Sequence, residues 1–408
     1  MTKLLFLFLP ILLLGDDLKS LLEYAKQNND LLVSSKLTQD AKAKDVESKK
    51  SAYFPTIDVG AFYKSTQERN LMQAGDVYSG YAKAGLDIYD GGRKSSLLEQ
   101  SKDEYKASQH DTNEMKKILN LDITKDFYAI KSLEASLEAK QDASKSLQEQ
   151  LSRVKKYVEA KLATKDDIDR LQAAYDTNMY DIESLRLQIL STHKLLELKV
   201  GKKIDVLDKS NFKDVIQQEM QNSDAIISLM AKESSIINAA ESINSAYYPQ
   251  IRVEDSYNIY GYDRADAAHL AGVDNQNVAM ISANMRIFDY GTLSDAKQAV
   301  MINAYALKAQ VAYKTKEQKM QFELALFRVE TGEIKIKSAK SALVAATSAY
   351  ETINEKYNVG IVDYIVYLNA LTAKTGAKAL YETSLNELEV AYASYYYYSG
   401  KNLEEFIK

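Results

Sequence analysis

Ser51-Ala52-Tyr53-Phe54-Pro55-Thr56-Ile57-Asp58-Val59-Gly60-Ala61-Phe62-Tyr63 and Ser245-Ala246-Tyr247-Tyr248-Pro249-Gln250-Ile251-Arg252-Val253-Glu254-Asp255-Ser256-Tyr257 are two versions of one pattern, 194 residues apart. In each, a small-residue and aromatic lead-in ends at proline and opens into strict alternation. Ile57, Val59, Ala61 and Tyr63 share one side of 56–65, opposite Thr56, Asp58, Gly60 and Lys64. In 250–260, Ile251, Val253, Tyr257 and Ile259 oppose Gln250, Arg252, Glu254, Ser256 and Asn258, with Asp255 breaking the apolar side. Two further segments alternate the same way: 81–89 with Ala82, Ala84, Leu86 and Ile88, and 279–287 with Ala279, Ile281, Ala283, Met285 and Ile287. Period two predicts strands. About 10 residues is the length that crosses a bilayer when tilted, and one apolar face against one polar face is the pattern of a membrane β-barrel. A half-buried sheet in a soluble protein alternates identically. Tyr53, Phe54, Tyr89, Tyr247, Tyr248 and Phe288, near the strand ends, suit an aromatic interface belt.

The repeat continues outward. Tyr89-Asp90-Gly91 returns as Phe288-Asp289-Tyr290-Gly291 at an offset of 199, and Lys156-Tyr157 as Lys356-Tyr357 at 200. From Arg93 to Val200 no Gly or Pro interrupts the second half of the first copy after its Gly91-Gly92 corner. Leu119, Ile123, Phe127, Ile130, Leu133, Leu137, Leu147, Leu151, Val154 and Val158 recur at helical spacing, so Lys94 to about Ala160 reads as one helix, roughly 100 Å long. The return helix, about Asp166 to Lys199, repeats every seven residues at Ile168, Tyr175, Ile182, Ile189 and Leu196, the spacing of a left-handed supercoil. Copy two does the same from about Leu293 to Tyr357 and from Tyr364 to Tyr398, with Gly360 suited to the turn between. Gly332 and Gly376 within these helices predict bends or close packing.

Composition closes off other classes. The chain has 408 residues, three prolines, 15 glycines, no cysteine and three scattered histidines. Too few turn residues are present for a many-turned sandwich or a doubly wound sheet. Disulfides, thiolate metal sites and cysteine nucleophiles are excluded. A net charge of −5 argues against a nucleic-acid partner. No nucleophile sits with a base and no ligand cluster stands out, so neither enzyme activity, a cofactor nor a metal is expected. Met1-Thr2-Lys3 followed by the apolar run Leu4 to Leu14 predicts a secretory signal over 1–16, exporting the remainder. Two repeats follow. The first, 17–207, has a strand hairpin at 55–90 and a helical hairpin at 93–200; the second, 208–408, has them at 249–289 and 292–399.

Four strands cannot seal themselves in lipid, where each unpaired backbone group costs several kcal/mol. Other chains must complete the sheet, two copies giving eight strands and three giving twelve. Only a strand count well above eight leaves an aqueous channel.

Together these motifs resemble the TolC-type outer-membrane efflux family over nearly the whole exported chain. Leu18 to Ala25 with Asn29 is similar to that family's opening. The runs ending at Pro55 and Pro249 are similar to its strand entries, Leu86 to Arg93 to its strand-to-helix corner, and Tyr357-Asn358-Val359-Gly360 with Ala370 to its hairpin tip. The resemblance implies a mainly α protein with a transmembrane β part. Long helical hairpins form a coiled-coil tunnel, and four strands per chain complete a 12-stranded barrel in a homotrimer. It further implies an outer-membrane exit duct for tripartite efflux or type I secretion. A periplasmic adaptor (membrane fusion) protein and an inner-membrane pump or ABC transporter would be its partners, with the tunnel in the periplasm and the barrel in outer-membrane lipid.

The tip departs from the family. Two positions that carry aspartates there hold Val366 and Asn369, and the position of a latch arginine holds Val362, while Tyr357 and Asp167 match the latch tyrosine and aspartate. Asp166, Asp167, Asp169 and Asp363 are expected to make the entrance negative. The plainer account is that they are helix N-terminal acids favoured by the dipole. Two other functions remain open at this stage: a soluble or surface coiled-coil scaffold, and an export component dedicated to one protein.

Overall fold

A computed structural model describes residues 15–67, 75–162, 164–214, 219–263 and 273–408. The expected signal segment lies almost wholly outside the described residues. In chain order the elements are α1 (Leu18–Asn28), α2 (Asp30–Ser51), β1 (Thr56–Ser65), β2 (Asp76–Asp90), α3 (Arg93–Glu159), α4 (Lys165–Val200), α5 (Asp224–Asn244), β3 (Gln250–Asp263), β4 (Asn275–Asn284), α6 (Thr292–Asn358) and α7 (Tyr364–Tyr398). The two longest helices, α3 and α6, have 67 residues each. Among the described residues no helix is long and apolar enough to cross a membrane. The chain divides into two compact units, each drawing on both halves of the sequence.

One unit, Lys36–Asp111 with Ala225–Lys314, holds the sheet. Its strands form an antiparallel meander in the order β1-β2-β3-β4. The register lines up Ile57, Ala84, Asp255 and Ala279 in one row, and Val59, Ala82, Tyr257 and Asn277 in the next. Thus the apolar sides of the four strands share one face, on which Ile57, Val59, Ile259 and Ile281 are exposed. The other face is charged. Lys83 pairs with Glu254 at 2.7 Å, and Arg252 with Asp87 at 2.9 Å. Lys94 of α3 reaches the same Asp87 at 3.3 Å. A Cβ at Gly85 would lie 2.5 Å from an Arg252 guanidinium nitrogen, so the absence of a side chain there leaves room for the arginine to lie across the strand.

Alternation located the strands but not their ends. β2 begins at Asp76 rather than Tyr81, because its first residues pair with the far end of β1, from Ala61↔Gly80 to Ser65↔Asp76. β4 runs from Asn275 to Asn284 rather than 279–287: Gln250 opens β3 opposite Asn284, so Met285 and Ile287 have no partner strand. A bulge between Asp87 and Tyr89 leaves Ile88 out of the ladder, so Tyr89 rather than Ile88 faces Ile251. A bulge shifts alternation by one residue, which a pattern of period two cannot register.

The strand-to-helix corners are built alike. Asp90 accepts from the backbone N–H groups of Gly92 (3.2 Å) and Lys94 (2.8 Å). Asp289 accepts from Gly291 (3.1 Å) and Leu293 (3.0 Å). Each carboxylate therefore caps its long helix at the end where donors are unsatisfied. Gly91 and Tyr290, at matching places, both have positive φ, 69° and 56°.

The other unit, the chain up to Ser35 with Thr112–Asp224 and Thr315–Lys408, is a helical coil with two apolar clusters. The larger cluster packs Leu18, Leu21 and Leu22 of α1 with Ile123, Phe127 and Ile130 of α3, Leu196 and Val200 of α4, and Tyr395 and Tyr396 of α7. The Tyr395–Tyr398 run is thus chiefly core, with Tyr396 stacked on Phe406 at 3.8 Å between centroids. Glu389 is drawn into this core and accepts from the Phe212 N–H at 2.6 Å. Burial pushes its carboxyl pKa up, against the pull of that N–H. Gly332 allows close packing, since a Cβ there would meet Leu388 at 3.0 Å; Gly376 has no such neighbour.

Candidate functional site

The distal ends of the two helical hairpins close with the same turn. After α3, Leu162 N–H donates to Tyr157 C=O (2.7 Å) and Lys161 N–H to Val158 C=O (3.0 Å); after α6, Ile361 N–H donates to Lys356 C=O (2.9 Å) and Gly360 N–H to Tyr357 C=O (3.1 Å). These are Schellman pairs, which need a left-handed residue: Gly360 has φ 78° and Lys161 has φ 59°. The turn geometry equates Tyr157 with Lys356, an offset of 199. The expected 200 for Lys156-Tyr157 is one residue too long, and the corner's offset of 199 holds through to the tip. The following helices start on equivalent caps. Thr164 forms a capping box with Asp167, whose carboxylate accepts from the Thr164 N–H at 3.0 Å. Asp363 caps α7 by accepting from the Val366 N–H at 3.1 Å.

Between these turns lies a cavity of about 600 Å³ lined by Arg153, Val154, Tyr157, Leu162, Asp167, Tyr357, Asn358, Val362, Asp363 and Tyr364, among others. It brings together three of the five predicted tip residues: Asp167, Tyr357 and Asp363. Asp166 is outside the lining and pairs with Arg170 at 2.9 Å; Asp169 is exposed and also outside it. Tyr357 stacks on Tyr367 at 4.9 Å. Burial pushes its hydroxyl pKa up, the Asp167 charge adds to this, and Arg153 opposes it.

Arg153 is the residue that sequence reasoning missed. It projects from α3 and donates to the Asn358 side-chain oxygen on α6. One turn back along α3, Gln150 donates to Asn354 and to Asn358, each at 3.4 Å. The guanidinium absent at Val362 is therefore supplied to the same cavity from the other hairpin. Gln150 and Arg153 flank the apolar positions Leu151 and Val154, and polar residues beside a coiled-coil seam were the available signal.

At the sheet, Tyr53 and Phe54 precede β1, Tyr89 is near the end of β2, Tyr247 and Tyr248 precede β3, and Phe288 follows β4. All six lie at the end where the strands meet helices. Five are exposed, and Tyr247 donates to Asp289 at 3.2 Å. The opposite end has aromatics too, with Tyr63 and Tyr78 side by side at 5.0 Å on the apolar face.

Residues 21–201 match the family model for outer membrane efflux proteins. The outer membrane protein TolC of Vibrio cholerae is 24% identical over 394 residues, covering 91% of this chain and 86% of the relative. Over residues 21–201 the chain is therefore similar to the outer membrane efflux proteins. Solved structures agree in fold. The CmeC outer membrane channel of Campylobacter jejuni superposes with a TM-score of 0.84 at 13% identity, covering 95% of this chain and 86% of that one. VceC, an outer membrane protein of Vibrio cholerae, gives 0.80 at 11% identity with 95% and 96% covered. The open-state MtrE channel of Neisseria gonorrhoeae gives 0.78 at 15% identity with 95% and 89% covered. With 95% of this chain covered in each case, the likeness extends over the sheet and the long helical hairpins together.

Proposed function

We propose that three copies of this chain form a passive exit duct in the outer membrane, opened at its helical tip when a periplasmic adaptor and an inner-membrane pump or ABC transporter dock. The observation that carries this reading is a sheet with one apolar, exposed face, one charged face, and two outer strands, β1 and β4, without a further partner among the described residues. In hydrocarbon such edges must be paired. Three sheets joined β4 to β1 give twelve strands, wide enough for water, whereas two give eight and a filled interior. Tyr78 and Tyr89 on β2 are eleven residues apart, about 36 Å along a strand. A tilt of about 40° reduces this to roughly 28 Å, close to the ~30 Å hydrocarbon thickness. Residues 1–16 act as the export signal, and repeats 17–207 and 208–408 each contribute one strand hairpin and one helical hairpin. Arg153, Asn358, Tyr357 and Asp167 hold the inner and outer hairpins together at a closed tip, and the acids there give the entrance a negative rim.

The test is the mass and conductance of the detergent-solubilised assembly. We expect a particle of three chains, extracted only with the outer membrane, that inserts into planar bilayers as a channel. A single chain stable in detergent-free buffer overturns the proposal.

A further inference from the structure

The charged side of the sheet changes character along its length. Towards the helices it carries Lys83, Asp87, Arg252 and Glu254; at the other end, where β1 stops at Ser65 and β2 starts at Asp76, it carries rings. Tyr81 stands between Gly60 and Asn258, and the next row outward is Phe62, Ser79 and Tyr260. Tyr81 reaches across to β1, where a Cβ on Gly60 would come within 2.5 Å of its hydroxyl oxygen. Tyr262 follows on β3, stacked on Tyr260 at 6.3 Å between centroids and 19° between planes. These residues alternate in step with Lys83 and Arg252, so none of the rings shares the apolar face. From Asp255 to Asp263 the β3 residues of this side are half-buried and those of the apolar side exposed, as on the inside of a curved sheet. A water-filled lumen calls for polar side chains, yet Phe62 is 47% and Tyr81 36% exposed here. Ser79 is the reverse case. It is buried, it lies between Phe62 and Tyr260 in their row, and its hydroxyl has no hydrogen-bond partner. An orphaned buried hydroxyl is a net cost to the fold, recovered by a ligand that pairs with it.

We propose that Phe62, Ser79 and Tyr260 form a cleft, one per chain, that holds a planar aromatic solute with a hydrogen-bonding substituent on its way through the barrel. This rests on the duct reading, which makes this side of the sheet the lumen, and adds a site and the chemistry it takes. Neighbouring strands lie about 4.8 Å apart, so Phe62 and Tyr260, two strands from each other, stand about 10 Å apart. A ring placed between them is about 5 Å from each, inside the range of roughly 4.5–7 Å at which ring pairs attract. Serine is small enough to leave that space, and its hydroxyl, at the floor, pairs with the substituent of the solute. Tyr262 backs Tyr260 and holds its ring in place. An aliphatic wall would take any apolar solute, whereas two rings facing each other across one small residue favour a flat one. Nearer the helices the charges of the wall are paired, Lys83 with Glu254 and Arg252 with Asp87. The ring cleft is therefore the part of the sheet that discriminates by shape.

Proflavine, a flat three-ring cation with two amino groups, is the probe, and N-methylglucamine, of the same charge but without a ring, is the control. In planar bilayers the three-chain channel should show reversible current steps with proflavine added on the barrel side, and none with N-methylglucamine. Attraction to the acids at the tip would act on both. Phe62→Leu with Tyr260→Leu keeps the wall apolar and removes both rings. At roughly two- to tenfold per ring, it should shorten the proflavine dwell time about tenfold or more. Tyr260→Phe keeps the ring and should leave the dwell time within about twofold of the parent. Ser79→Ala removes a hydroxyl that the fold does not use, so the channel assembles as before, and the dwell time should fall by roughly two- to tenfold. An absence of proflavine steps, or a dwell time unchanged in the leucine variant, overturns the inference while leaving the duct standing. A rise in open conductance alongside that unchanged dwell time assigns the rings to narrowing the mouth instead. A single chain without conductance overturns both.

Discussion

Lys161 and Gly360 do one job with unequal means. Both hold the left-handed position that ends a long helix, at φ 59° and 78°. Only glycine does so without crowding between Cβ and the following carbonyl, a cost of about 1–2 kcal/mol for other residues. A Cβ at Gly360 would meet nothing within 4 Å, so backbone strain is the whole of the argument there. Lys161→Gly should therefore stabilise the outer turn by about 1 kcal/mol. Slower hydrogen exchange at the Leu162 amide, which the turn bonds to Tyr157, is the readout. Unchanged or faster exchange there counts against the strain argument. Gly91 poses the opposite case, since a Cβ there would lie 2.3 Å from the Ser245 carbonyl oxygen, whereas its counterpart Tyr290 points into the open. The sequence showed Asp90 and Asp289 as equivalent, but not that one neighbour is glycine for want of space and the other is not.

Among the elements, the helices were the most legible and the strand ends the least. Uninterrupted periodicity located α3 within a residue or two at each end, and α7 at Tyr364–Tyr398 without error, because caps and turns at Asp363 and Ser399 coincide with the end of the pattern. Strand ends depend on where a neighbouring strand begins, which is a property of pairing and not of local sequence; hence β4 stops at Asn284. The latch shows the same limit. The resemblance puts a cation at Val362, in the turn before α7, while the structure supplies one from α3, across about 200 residues of sequence. Arg153→Ala removes a charge-assisted bond worth about 1.5–3 kcal/mol when buried. In this partly open cavity about 1–2 kcal/mol is the reasonable scale, and each 1.4 kcal/mol is tenfold in an equilibrium. In planar bilayers the variant should raise the open fraction several-fold to about tenfold over the parent. Gating identical to the parent means that the Arg153–Asn358 contact does not hold the tip closed.

For the molecule as a whole, a chain repeated around an axis multiplies whatever it presents. In a trimer, Asp167 and Asp363 place six carboxylates around the tip cavities, and the four acids predicted there are not equal. Asp166 is offset by Arg170 and, like Asp169, lies outside the cavity lining, whereas Asp167 and Asp363 line it. Both lining acids also cap helices, so a fair substitution must keep an acceptor oxygen, which asparagine does. Asp167→Asn with Asp363→Asn should lower the cation preference of the channel, measured as reversal potential across a salt gradient. The shift should exceed that from Asp166→Asn with Asp169→Asn. It should also shrink as salt rises from about 0.1 M to 1 M, because the screening length falls from about 10 Å to 3 Å. If neutralising all four leaves the reversal potential where it was, these acids serve their helices alone, through the N-terminal dipole, and the selectivity of the duct must arise elsewhere along its wall.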